Sequence, residues 1–146
     1  MDATGDPVEA AAVLLLRLGR GRDEAAAREV PFARPSDVLA RLMQATVALV
    51  HEMGWVSAET LLVNLEVTAD SPVDLDAEPY RQVIGAVRAT ITGATGEIER
   101  VAAELAAGDE PVLVEGVRCA AALARATLDR CVAEGVPVPV WLLPAV

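Results

Sequence analysis

Lysine is absent from this chain: all twelve basic residues are arginine. That absence removes a Schiff-base amine, the phosphate-binding lysine of a P-loop and the lysine of a Ser-x-x-Lys nucleophile. Histidine is almost as scarce, with His51 the one example, and the two cysteines are Cys119 and Cys131. On a single helix those thiols lie about 18 Å apart at ~1.5 Å per residue, too far to pair. One histidine and two distant thiols cannot make a closed ligand set, so we expect no metal and no cofactor. The thiols read as buried groups in a reducing compartment, with Arg118 beside Cys119 leaving a reactive thiol as the alternative.

Aromatic residues are few, one Phe, one Tyr and two Trp, although 53% of the chain is hydrophobic. The core must therefore be built from Ala, Val and Leu, and the stacking surface of a single-strand binder is missing. Long apolar runs are missing too. The longest, residues 10–16, stops at Arg17, whereas a membrane span needs ~20 apolar residues; we expect no membrane association despite a mean hydropathy of +0.38. The first residues lack the positive segment of a secretion signal, and we expect a cytoplasmic protein. A net charge of −10 opposes nucleic-acid binding, which draws its affinity from phosphate neutralisation.

What is present is helical periodicity. Ile84, Val87, Ile91, Ala94, Ile98, Val101 and Leu105 follow three- and four-residue steps that place them on one stripe. The spacing predicts a seam helix over about 78–107. Behind it runs a second stripe of small residues, Gly85, Ala89, Thr92, Gly93 and Gly96. Glycine costs ~1 kcal/mol in a helix interior, so this stripe signals either a close helix contact or a break near 92–96.

Asp6-Pro7-Val8-Glu9 reads as a helix start with Asp6 as cap, opening helix one to about Leu18. Val13, Leu14 and Leu16 make that helix apolar nearly all round, hence buried in the domain or in an interface. Gly19-Arg20-Gly21-Arg22 reads as a glycine stop with arginines complementing the helix dipole. A short Ala-rich helix fits 23–29. A long helix opens at Ser36 or Asp37 and ends at Met53 before Gly54; only Asp37, Arg41, Gln44, Ala48, His51 and Glu52 are left to face water. His51-Glu52 is half of a zinc-protease pattern, but Trp55 stands where the second histidine is required.

Residues 57–67 fit a helix, though Leu61, Val63, Leu65 and Val67 also alternate as a strand would. Residues 70–78 form an acidic loop without the glycine of a calcium loop. Asp109 caps the last helix, with Pro111 in its first turn and Gly135 as its stop. Leu113, Val117, Ala120, Ala124, Thr127 and Cys131 give that helix an inner face, and Glu115, Arg118, Ala122, Arg125 and Asp129 an outer one. Three prolines keep the apolar tail, 136–146, extended.

These readings combine into an all-α fold, a single-domain bundle of five to six helices over 1–146 with a flexible 1–5 and an extended tail. The leading functional expectation is a non-catalytic, self-associating protein with a regulatory or scaffold role, a homodimer open to a further protein partner. Its contact candidates are Leu14, Leu16, Gly85, Ala89, Gly93, Trp141 and Leu142. The alternative is a small-molecule binder or a lyase- or mutase-like enzyme with an Arg- and Glu-lined cavity, drawing on Arg41, His51, Glu52 and Arg88. A helix-turn-helix regulator comes third, opposed by the charge.

Overall fold

The computed structural model describes residues 7–18, 35–54 and 78–146. The readings for 19–34 and 55–77, including the Ala-rich helix, the helix-or-strand segment and the acidic loop, lie outside the described residues. The fold is all-α. The described residues form five α-helices, α1 (Pro7–Leu18), α2 (Pro35–Met53), α3 (Glu78–Ile91), α4 (Glu97–Ala107) and α5 (Glu110–Ala133), followed by a 3₁₀ helix (Val140–Ala145) in the tail. Among the described residues there is no strand.

The centre is the pair α2 and α5, against which α1, α3 and α4 all pack. Sequence dictates this directly for α2. Val38, Leu39, Leu42, Met43, Thr46, Val47, Leu49 and Val50 are buried, and Asp37, Gln44, Ala48, His51 and Glu52 are exposed, as its narrow polar stripe predicts. On α5, Val117, Ala120, Leu123, Ala124, Leu128 and Cys131 are buried; burying each leucine or valine is worth roughly 1.5–3 kcal/mol. The two buried threonines on these helices keep their hydroxyls satisfied within their own turns, Thr46 Oγ1 donating to Leu42 O at 3.1 Å and Thr127 Oγ1 to Leu123 O at 2.8 Å. Gly116 lets α4 approach closely: a Cβ there would stand 2.8 Å from Leu105 Cδ1.

The seam helix is broken. α3 ends with Gly93 at φ 109°, Gly93 N–H donating to Thr90 O and Ala94 N–H to Ala89 O, which is the paired closure of a Schellman motif. Thr90 and Thr92 hydroxyls donate to Ala86 O and Ala89 O just before it. α4 restarts after Gly96, also at positive φ, and folds back against α3. Ile84, Val87, Ile98, Val101 and Leu105 remain buried, but Ile91 is half-buried and Ala94 is exposed. The stripe is therefore real within each half and interrupted where glycine permits a left-handed turn.

The tail also departs from expectation. α5 closes with the same motif, Gly135 at φ 71° and Val136 N–H donating to Cys131 O. After 136–139 the chain winds into 3₁₀ geometry instead of staying extended, with Leu142 N–H donating to Pro139 O at 2.9 Å. Three residues per turn set Leu142 and Ala145 on one side, where both are buried and the segment packs on α1.

Candidate functional site

The layer formed by α1 and the tail is tied to the central helices by two arginines, Arg125 and Arg41. Periodicity assigns Arg125 to the outer face of α5, and the structure overturns that reading: the residue is 8% exposed. Its Nη1 donates to Leu16 O at 2.9 Å and to Ala145 O at 2.8 Å. Nε and Nη2 both donate to Asp129 Oδ1, one turn on. A guanidinium offers five donors in a fixed fork, and here the fork reaches α1, the tail and its own helix. Nothing in the periodicity of α5 announces that the tail folds over this face.

A second arginine repeats the arrangement. Arg41, half-buried on α2, pairs with Glu9 of α1, and its Cζ lies 5.8 Å from the ring centroid of Trp141, within cation–π range. So Arg41 meets Glu9 and Trp141, and Arg125 meets Leu16 and Ala145. The two central helices each contribute one arginine, and each arginine touches both α1 and the tail. The two outer segments meet the arginines in the same chain order.

The tail turns its remaining side outward. Val140, Leu143 and Val146 are 81%, 54% and 47% exposed, and a repeat of three stacks them in one row along a 3₁₀ segment. On α1, Leu14 is exposed as well, on the side carrying Ala10 and Arg17.

The other residues singled out from sequence fall apart into separate places. Leu16 and Leu142 are interior, and Trp141 is half-buried over Arg41. Gly85 is exposed with open space where a Cβ would stand, Ala89 is half-buried, and Gly93 belongs to the break; the small-residue stripe thus makes no close helix contact among the described residues. His51 and Glu52 sit exposed near the end of α2, and Arg88 is exposed on α3. No hydrogen bond joins these three among the described residues. Nor do three His, Cys, Asp or Glu side chains gather there in a way that could hold a metal ion. No described helix is long and apolar enough to cross a membrane.

Both cysteines are buried and unpaired with each other. Cys131 Sγ donates to Leu49 O at 3.8 Å, and burial, then Glu134 and Glu52, push its thiol up to about 11. It is held protonated and hence unreactive. Burial and the neighbouring Cys119 likewise push the Tyr80 phenol up to about 12. Arg118, the neighbour that made Cys119 a reactive candidate, is paired with Glu115.

No protein-family model matches the chain, and neither the curated proteins nor the solved structures include a match to it.

Proposed function

We propose that this chain is a non-catalytic, self-associating helical protein that acts through protein–protein contact, in a regulatory or scaffolding role, with a second copy as its first partner. The observation that carries the reading is the exposed apolar row Val140, Leu143 and Val146. Its neighbours Leu142 and Ala145 are spent on the interior, so the segment is apolar on both sides, one covered and one not. Contiguous apolar surface of this kind marks interaction sites. An exposed row of this kind also suits an isologous pairing, in which the same patch meets itself across a two-fold axis.

The enzyme alternative has less behind it. Arg41, which would bind an anionic ligand, is engaged by Glu9 and Trp141. A cytoplasmic location belongs to the same reading, since a reducing environment suits two buried thiols that form no disulfide with each other.

Light scattering on the full chain tests the proposal. A mass of twice 15.2 kDa at micromolar concentration is expected, and a monomer mass throughout that range refutes self-association.

A further inference from the structure

We infer that the turn at 92–96 is a hinge, and that the same sequence also forms one straight helix over 78–107 through which two copies exchange halves, α4, α5 and the tail of each packing on α1, α2 and α3 of the other. The observation that carries it is phase. Ile84, Val87 and Ile91 belong to α3 and Ile98, Val101 and Leu105 to α4, yet the alternation of three- and four-residue steps runs through Ala94 from one set to the other without a slip. Two helices that fold back on each other need no common register, because each buries its own face. A continuous helix does need one.

The turn is also arranged so that it can straighten. Ala89 O and Thr90 O accept from the N–H groups of Ala94 and Gly93 in the turn; in a continuous helix they accept from Gly93 and Ala94 instead, so the same two carbonyls stay satisfied through an exchange of donors. α4 starts at Gly96 with no side-chain cap, and the N–H groups of 97–99 would gain the carbonyls of 93–95. Against this stand Thr92, Gly93, Thr95 and Gly96, poor helix formers that keep the chain folded back. By chain order the turn is the single covalent link between α1–α3 and the remainder. α2 and α3 each pack on both α4 and α5, so an exchange keeps the contacts between the halves and changes only which copy supplies them, as in domain swapping. The exchange does not use the exposed row of the tail and stands apart from that reading.

Gly93 and Gly96 both hold positive φ, and a Cβ at either meets nothing within 4 Å, so alanine there penalises only the folded-back backbone. Alanine also favours the straight helix, and the two effects together shift the balance by roughly 30-fold per site. The test is the full chain carrying Gly93→Ala and Gly96→Ala together with Leu143→Asp, which disables the row on the tail. Nitroxide labels are attached through Arg81→Cys and Ala103→Cys, both exposed positions, and labelled chain is refolded in excess unlabelled chain so that only within-chain distances are read. The expected result is a mass of twice 15.2 kDa and a label distance of about 33 Å along one straight helix at ~1.5 Å per residue. The parent with both glycines gives a shorter distance, because α4 folds back against α3. Association of that parent counts against the tail row and leaves the label distance to decide the exchange. A dimer of the alanine variant that keeps the parent's short distance is surface association and overturns the inference, as does a monomer across the concentration series, whatever its label distance. Gly96→Ala alone is the milder variant should the pair not fold. A chain that folds with neither overturns the inference as well, since a straight helix accepts alanine at both positions.

Discussion

Arg125 Nη1 is 2.8 Å from the carbonyl oxygen of Ala145, twenty residues further along the chain, and that bond closes the tail over a face of α5 that otherwise reads as solvent-exposed. The same nitrogen also holds Leu16 O. A guanidinium shared by two backbone carbonyls ties two segments to one helix, and its removal has a calculable direction.

Arg125→Ala strands two carbonyls under the tail and deletes charge-assisted hydrogen bonds, so it should destabilise the fold by about 3 kcal/mol. Asp129, whose side chain is half exposed, adds little to that figure because solvent screens it. Arg125→Lys keeps the charge but loses the fork and should fall between Arg125→Ala and wild type. Arg100→Ala, which removes two solvent-exposed ion pairs on α4, should leave the urea midpoint where it was. Equal midpoints for Arg125→Ala and wild type would contradict the clasp.

The contrast between α2 and α5 shows how far a sequence can be read. For α2, the apolar and polar positions separate cleanly because one helix buries most of its circumference against several neighbours, and hydrophobic periodicity reports that directly. The ends of α1, α2 and α5 are equally legible, since Pro7, Gly54 and Gly135 punctuate the chain by local chemistry alone. Arg125 is not legible. Its burial depends on where a segment twenty residues away comes to rest, and an arginine four residues before Asp129 looks the same whether it faces water or lies under a tail. The break at Gly93 is half legible: the glycines signal either a contact or a turn, and only their positive φ separates the two.

The break also distinguishes positions that share one stripe in sequence. Val87 is fully buried, and Val87→Asp should severely destabilise or unfold the chain, because burying a carboxyl there costs several kcal/mol whether it stays charged or takes up a proton, a large part of the ~5–15 kcal/mol typical of a folded domain. Ala94→Asp, two turns along the same stripe, should be tolerated, since Ala94 is exposed. Circular dichroism melts of the two variants make the comparison; an unfolded Ala94→Asp would mean the seam is continuous after all.

Two glycines from the small-residue stripe should respond in opposite directions. Gly85 lies mid-helix, and a methyl group added there would have nothing within 4 Å, so Gly85→Ala should stabilise by about 0.5–1 kcal/mol through helix propensity. Gly93 holds φ 109°, and Gly93→Ala should cost about 1–2 kcal/mol of left-handed strain. Chemical denaturation reads both. A destabilised Gly85→Ala would indicate that something packs on that position.

Stability should fall on the alkaline side, with a sign that follows from burial. Below its ordinary 9.0 the Cys131 thiol is protonated in both folded and unfolded chains and contributes no slope. Between 9.0 and about 11 in the fold, the unfolded chain binds fewer protons than the folded one. Stability then drops as pH rises, by up to about 1.4 kcal/mol per pH unit. Tyr80 acts in the same direction from its ordinary 10.0 to about 12. Urea titrations from neutral pH to pH ~11 should show this decline, and Cys131→Ala should flatten its lower half; an unchanged slope in that variant would remove burial of the thiol as the cause.

The contact surface itself predicts an uncommon salt response. Each copy carries a formal charge of −10, so two copies repel at low ionic strength, and the screening length shrinks from ~30 Å at ~0.01 M to ~8 Å at ~0.15 M salt. If the row Val140, Leu143 and Val146 joins two copies by apolar burial, raising salt removes the repulsion without weakening the attraction, and the dimer should tighten. An interface held by ion pairs would loosen instead. Leu143→Asp places a charge in the middle of the row and should give a monomer at every salt concentration, while costing the fold less than ~0.5 kcal/mol because the side chain is exposed. Val112→Asp, at the opposite end of α5 and also exposed, should leave the dimer intact. Sedimentation of the three proteins across a salt series separates the outcomes: tightening with salt in wild type and Val112→Asp, and no association in Leu143→Asp. Association that survives Leu143→Asp would move the interface away from the tail.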